Sequence, residues 1–319
     1  MKRKKCVFGP LQSRRLGLSL GVDLLPFKTC SMDCVYCECG ATTDLTMRRE
    51  EFVPTSQVIE ELDAALAAGA KPDYVTFSGA GEPTLHSGIG RIIEHIKAAH
   101  PGQKLCLLTN STTLPDPEVI REVAPVDLIV PSLDGSNQEE LEKITRLAPG
   151  LTLEAIVEGI AAFRKASKAA LWLEIFIVPG INSSRESALR FRELVRRIAP
   201  DKVQLNTLDR PGTEKWVAVP SREELDCLAS IIGEAAPVEC IGRNLPPEKT
   251  ASNTAQRTVE EFSEAILDLL LRRPSTAKDV SIALAVSETV ASNHLIRLER
   301  NGAVQAERGE RGVFYKAVK

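Results

Sequence analysis

Apolar positions along the first three-quarters of the chain follow two alternating patterns. Residues 56–69, 88–100, 116–124, 152–166, 183–198 and 221–235 repeat apolar side chains three and four apart, which predicts amphipathic helices. Between them lie short continuous apolar runs ("DYVTF", "KLCLLT", "VDLIV", "LWLEIFIV", "DKVQL"), preceded by "LSLGVDLL" at 18–25. Such runs suit parallel strands covered on both faces. Ser183 with Glu186 and Ser221 with Glu224 are read as capping boxes that open two of the helices.

Strand and helix alternating in this way define an α/β fold with about six βα units. That is fewer than a closed eight-fold barrel needs, so the expectation is a partial (β/α)6 TIM-type barrel over residues 1–240. Ligands in such folds bind at the C-terminal ends of the strands. The segments falling there are the loop after residue 25, "SGAGEP", "TNS", "SLDG" and "LDRPG".

The pattern changes at 241–256, a polar stretch with Pro and Asn that reads as a linker. Beyond it, 258–274, 276–286 and 287–302 read as helices and 303–318 as two strands with a glycine-containing tip. Helix, helix-turn-helix and hairpin form the plan of a winged helix-turn-helix domain, residues 257–319. Ser287, Thr289, Asn293, His294 and Arg297 of its third helix, with Arg308 and Arg311 of the wing, are the candidates for nucleic-acid contact. Ten basic residues stand against nine acidic ones from Arg257 onward, a weak electrostatic footprint for such a role.

Composition narrows the classes. The 319 residues suffice for about two domains, and 43 % apolar residues can build a real core. A net charge of −3 advertises no global attraction to nucleic acid. No stretch reaches the ~18 uncharged apolar residues of a membrane span, and the basic N-terminus lacks the apolar region of a signal peptide. The expected location is the cytoplasm, without membrane partners, where stable disulfides are rare.

That expectation bears on "KTCSMDCVYCECG", with cysteines at 30, 34, 37 and 39. A zinc ribbon needs a second Cys-x2-Cys pair, which the chain lacks. A redox pair would not need Cys30. Three thiolates at Cys-x3-Cys-x2-Cys spacing can hold three irons of a [4Fe–4S] cluster and leave the fourth open. Cys39, only two residues after Cys37, is read as a neighbour and not a ligand. Cys106, in an apolar run, is read as core.

Cys-x3-Cys-x-aromatic-Cys after a first strand resembles the radical S-adenosylmethionine superfamily. The resemblance implies a cluster on Cys30, Cys34 and Cys37, with S-adenosyl-L-methionine chelated at the open iron. Reductive cleavage then gives a 5′-deoxyadenosyl radical that abstracts a substrate hydrogen. It implies an electron donor such as flavodoxin or ferredoxin. It also implies roles for Tyr36, whose backbone would meet the adenine, and for Gly79 and Gly81, whose lack of a side chain lets the backbone approach the ligand. Glu82 is expected to accept from the α-ammonium. Asn110, Ser132, Asp134 and Glu174 are candidates for ribose and carboxylate contacts.

More narrowly, residues 8–40 with "TFSGAGEPTLH" resemble Fe–S oxidoreductases grouped with wyosine-base synthases, which modify tRNA. Only Cys6 lies upstream, so a second cluster of the wyosine type is not expected. The resemblance implies a radical enzyme whose substrate is tRNA or another RNA. The alternative is an Fe–S- and S-adenosylmethionine-responsive DNA-binding regulator. Three further signals are open: the pair Arg14 and Arg15 as an anion fork, His86 as a proton donor, and Asp209 with Arg210 as substrate or adenine contacts.

Overall fold

The computed structural model describes residues 5–13, 15–241, 259–309 and 311–318. Apart from Ile241, the linker read at 241–256 lies outside them, as does Arg14.

The chain opens with an antiparallel pair, β1 (Val7–Ser13) and β2 (Gly17–Val22). The long loop that follows carries two short paired segments, β3 (Thr29–Cys30) and β4 (Asp44–Leu45). Then come α1 (Thr55–Ala67), β5 (Tyr74–Phe77), one 3-10 turn (Pro83–Leu85), α2 (Ile89–Ala99), β6 (Leu105–Thr109) and α3 (Pro117–Val123). They are followed by β7 (Leu128–Pro131), α4 (Gln138–Thr145), α5 (Leu153–Ala166), β8 (Ala170–Phe176) and α6 (Arg185–Ile198). The series closes with β9 (Lys202–Asn206), α7 (Arg222–Ile232) and β10 (Val238–Ile241). The sheet runs β1-β2-β5-β6-β7-β8-β9-β10, and every pairing from β2 onward is parallel. Six strands, β2 and β5 to β9, are each followed by helix, as the periodicity implies. β1 and β10 add an edge on either side and do not pair with each other, so the barrel stays open.

The two sheet faces differ. Toward the helices lies the main core. In α2, Ile89, Ile92, Ile93 and Ile96 are wholly buried, each worth about 1.5–3 kcal/mol relative to exposure. The inner face is apolar at its N-terminal end, where Leu16, Cys106, Leu128 and Val130 cluster with Trp172. Ser19 and Thr76 bond at 2.7 Å at that same level, and toward the C-terminal ends the face becomes polar where Glu174 pairs with Arg15.

Caps fix the helix starts at this polar end. Ser221 and Glu224 form the expected capping box of α7. At α6 the cap is Ser184, which accepts from Ser187 N. The Ser183–Glu186 reading is therefore off by one residue, and Ser183 instead donates to Glu224 at 2.7 Å. Adjacent serines satisfy the same capping pattern, and only the chain's entry angle selects between them.

The C-terminal part holds α8 (Val259–Arg272), β11 (Ser275–Thr276), α9 (Ala277–Leu284), α10 (Glu288–Arg300), β12 (Val304–Gly309) and β13 (Gly312–Ala317). The three strands form a small antiparallel sheet, β11-β13-β12. Its core is its own, built from residues such as Ile266, Leu270, Val280, Leu295 and Leu298. Leu11 of β1 packs against that core, and Arg272 lies over the Phe8 ring, 4.0 Å from its centre. The C-terminal part thus covers the exposed edge of the barrel sheet, one way of protecting an unpaired strand.

Candidate active site

The loop after β2 carries the cysteines to the C-terminal ends of the strands and is laced down on all sides. Asp33 N and Val35 N donate to the carbonyls of Thr145 and Ile144 at the end of α4, both at 2.9 Å. Ala148 N donates to Ser31 O, and Glu214 N to Val35 O, again at 2.9 Å. Thr213 Oγ1 donates to Cys37 O at 3.2 Å. Ser31 bonds Thr112 at 2.6 Å.

The "SGAGEP" turn after β5 interlocks with this loop. Lys28 N donates to Ala80 O at 2.9 Å, and Glu82 N to Thr29 O. A side chain at Gly81 would stand 2.0 Å from Thr29 O, and one at Gly79 2.3 Å from Asp23 Oδ1. Both positions therefore require glycine for close approach of the two loops.

The thiols sit in a strongly polarised setting. Burial pushes Cys30 up to about 12, helped by the nearby Glu82 carboxylate. Burial likewise raises Cys34 well above the ordinary thiol range, with Cys37 adding to the effect. Cys37 is drawn down to about 6, first by a hydrogen bond from Cys39 and then by Lys28, whose Nζ donates to Cys37 Sγ at 3.1 Å. Burial works against the Lys28 charge, but the Cys37 neighbour outweighs it and the ammonium is held on. Asn110 Nδ2 donates to Cys30 Sγ at 3.5 Å. Three half-buried thiols that repel one another as anions, with a buried lysine beside them, fit a cationic iron centre replacing their protons.

Cys39, beside Cys37, also reaches the C-terminal part. Its thiol lies 2.9 Å from the carbonyl oxygen of Arg272, the last residue of α8, and 3.8 Å from Gly79 O.

The remaining candidates separate into three groups. Tyr36 stacks on Phe176 with ring centres 3.7 Å apart and donates its hydroxyl to Asp134 Oδ2 at 2.5 Å. Asp134 also accepts from Phe176 N at 2.8 Å, and burial raises its carboxyl to about 7. Asp134 thus sits behind Tyr36, fixing it. Glu82 is 2 % exposed and accepts from Thr84 N, Thr84 Oγ1, Thr109 Oγ1 and Asn110 N at 2.5–3.1 Å. Its two oxygens are already engaged within the chain. Ser132 and Glu174 form a parallel bridge between β7 and β8, and Glu174 accepts from Arg15 and from Asn206 Nδ2.

Of the open signals, Arg15 meets a carboxylate, that of Glu174. His86 is wholly buried. Its Nδ1 accepts from Gly88 N at 3.0 Å and its Nε2 lies 2.7 Å from Val53 O. Both nitrogens are committed, so the proton-donor reading of His86 does not hold. Asp209 and Arg210, both buried, join Glu38, Asp279 and Arg311 in one ion network spanning barrel and C-terminal part. Arg311 is consumed there, and His294 packs edge-on against Phe262. Of the sequence candidates on α10 and the β12–β13 hairpin, Ser287, Thr289, Asn293, Arg297 and Arg308 are exposed. Lys28 and Asn206 escaped the sequence reading. A lysine two residues before the first cysteine was the available signal for Lys28; nothing marked Asn206.

The thiols of Cys30, Cys34 and Cys37 thus lie near one another on a loop at the C-terminal ends of the parallel strands. The radical SAM superfamily model matches residues 24–192, more than half of the chain, and the chain belongs to that superfamily as a radical SAM enzyme. The superfamily uses a [4Fe–4S] cluster and S-adenosylmethionine. A UPF0026 protein of Helicobacter pylori (strain J99) is 30 % identical over 306 residues, covering 94 % of this chain and 96 % of that protein. "GTPase Obg" of Brachyspira hyodysenteriae is 32 % identical over 305 residues; 96 % of this chain spans only 44 % of that protein's length. A radical SAM methyltransferase from Sphaerobacter thermophilus shares the fold, with a TM-score of 0.56 at 16 % identity over 71 % of this chain and 66 % of that one. Among the described residues no helix is long and apolar enough to cross a membrane.

Proposed function

We propose that Cys30, Cys34 and Cys37 hold the cluster and that the substrate is an RNA, of which tRNA is the foremost candidate. When bound and reduced, the cluster supplies the electron that splits S-adenosylmethionine into methionine and a 5′-deoxyadenosyl radical, which takes the substrate hydrogen. The chain's own residues do the positioning. Lys28 offsets negative charge at Cys37. Tyr36, braced by Phe176 and Asp134, sets the wall where the adenine would lie. Gly79 and Gly81 bring the backbone close. Glu82 is better read as the post that fixes the "SGAGEP" turn than as a direct ligand. Arg15, Glu174 and Asn206 offer a polar inner wall to substrate. A flavodoxin or ferredoxin is the proposed donor.

The observation that supports a large substrate is the docking of the C-terminal part beside the cysteine loop, through Cys39–Arg272 and Arg210–Asp279. Its plan is that of a winged helix-turn-helix, and α10 keeps Thr289 and Arg297 exposed. RNA held on α10 would be recruited next to the barrel mouth. The resemblance to the wyosine-base group supports RNA over DNA. The same Cys39–Arg272 contact favours the second reading, a regulator in which the cluster's state reaches the DNA-binding helix.

The deciding experiment incubates reduced, cluster-loaded protein with S-adenosylmethionine and either total tRNA or duplex DNA. 5′-Deoxyadenosine release stimulated by RNA, with a mass change in one nucleoside, is the expected result. No nucleoside release, together with DNA affinity that changes with cluster oxidation, would overturn the enzyme–RNA reading in favour of the regulator.

A further inference from the structure

We propose that Asp63, His95 and His100 form a binding site for a divalent transition-metal ion of the zinc class, separate from the cysteine loop. His95 lies on α2 and His100 is the residue that caps its C-terminal end. Asp63 lies on α1, which packs beside α2. Each of these helices leads back to the N-terminal end of the next strand. The trio therefore sits on the outer helical layer, with His100 at the opposite end of the barrel from the cysteines.

The geometry is convergent. His95 Nε2 is 3.0 Å from both Asp63 oxygens, and His100 Nε2 is 2.7 Å from Asp63 Oδ1. One ligand atom from each of the three residues falls within 4.8 Å of the others. Two of the chain's four histidines thus aim the same ring nitrogen at one carboxylate. The imidazole centres are 6.4 Å apart and the rings are strongly inclined to each other at 70°, so neither blocks the other's approach to a shared point.

A set of two imidazoles and one carboxylate suits Zn²⁺, which takes imidazole nitrogen and carboxylate oxygen readily and accepts four ligands. The three side chains are partly exposed, at 28–43 %. An ion can therefore enter without unfolding, and water can complete its shell. Ca²⁺ and Mg²⁺, which prefer all-oxygen shells, are disfavoured by the two imidazoles. Binding replaces the two N–H···O bonds by metal–nitrogen bonds and ties α1 to α2.

The test uses full-length protein with its cluster already assembled, so that the cysteine loop is occupied, and Zn²⁺ alone as the probe. Equilibrium dialysis with metal analysis should show one zinc per chain beyond the cluster iron. X-ray absorption at the zinc edge should show nitrogen and oxygen neighbours with imidazole scattering and no sulfur. His95→Ala with His100→Ala should abolish that zinc. His95→Gln, which can keep a hydrogen bond to Asp63 and hence the fold, should weaken it at least about tenfold, a loss of about 1.4 kcal/mol. Equal stoichiometry and affinity in wild type and the double variant would overturn the site, as would a sulfur shell around the bound zinc. If the double variant loses cluster or melts early, the His95→Gln result decides alone: unchanged zinc affinity there overturns the proposal.

Discussion

The Arg210 guanidinium, on the loop after β9, lies 3.7 Å from the carboxylate of Asp279 in the first turn of α9. Asp279 also closes the capping box of α9 with Thr276, so one carboxylate both starts the helix and anchors the C-terminal part. Arg210 is 5 % exposed and bonds Glu38 at 3.1 Å, next to Cys37 and Cys39. The cysteine loop and the C-terminal part are thus tied through a single buried cation.

Arg210→Ala would remove the guanidinium that Glu38, Asp209 and Asp279 share. Removing one partner of a buried ion pair costs about 3–5 kcal/mol. The expected outcome is an early loss of hydrogen-exchange protection in α9 and a lower urea midpoint. Arg210→Lys should recover only part of it, because an ammonium cannot span three carboxylates as a fork does. A cost below about 0.5 kcal/mol for the alanine variant, well under the buried-pair range, would show that the network does not hold the two parts together.

Cluster content tests the cysteine assignment. Cys30→Ala, Cys34→Ala and Cys37→Ala together should abolish the iron and sulfide found after reconstitution. Cys39→Ser should keep both, since its thiol bonds the Arg272 carbonyl and neighbours Cys37, and a hydroxyl can serve in both places. A Cys39→Ser protein with markedly less iron than wild type would make Cys39 a ligand.

The barrel was legible because its signals are local. Continuous apolar runs and helical periodicity are properties of neighbouring residues, and the cysteine spacing lies within one loop. β1 was missed because Gly9 and Pro10 interrupt its apolar run, and β10 and β11 because short edge strands carry little apolar pattern; β10 shows two exposed residues, Glu239 and Cys240. α4 was missed because it is short and half charged, with buried Leu141 and Ile144 as its chief apolar anchors. The partners of Glu82, Asp134 and Arg210 were not legible at all. Each is set by residues far along the chain, such as Thr109, Phe176 and Asp279.

Glu82 distinguishes two roles for the "SGAGEP" turn. As an anchor it accepts four hydrogen bonds within the chain, and bonds to a charged acceptor are worth about 1.5–3 kcal/mol each. Glu82→Ala should therefore destabilise cluster-free protein by several kcal/mol, read from urea unfolding without S-adenosylmethionine. Were the carboxylate a cofactor ligand only, that midpoint would not move and affinity for the cofactor alone would fall.

Asp134 makes a pH-dependent contribution of known sign. Burial raises its folded pKa to about 7, above the ~3.9 of an unfolded aspartate. The native state therefore holds the proton more tightly. The group's contribution to stability is fully present below about pH 4 and is lost as pH rises through about 7, at no more than about 1.4 kcal/mol per pH unit. Asp134→Asn keeps an acceptor for Phe176 N and can donate to the Tyr36 hydroxyl, whose proton then points elsewhere. The variant lacks the titration. Urea midpoints of cluster-free wild type and variant are to be compared at mildly acidic and mildly alkaline pH. The wild type should gain on the variant at the acid end and fall behind it toward the alkaline end. A wild-type-minus-variant difference that stays flat across that range would mean that Asp134 is ionised throughout, and that Tyr36 is held by a carboxylate and not by a shared proton.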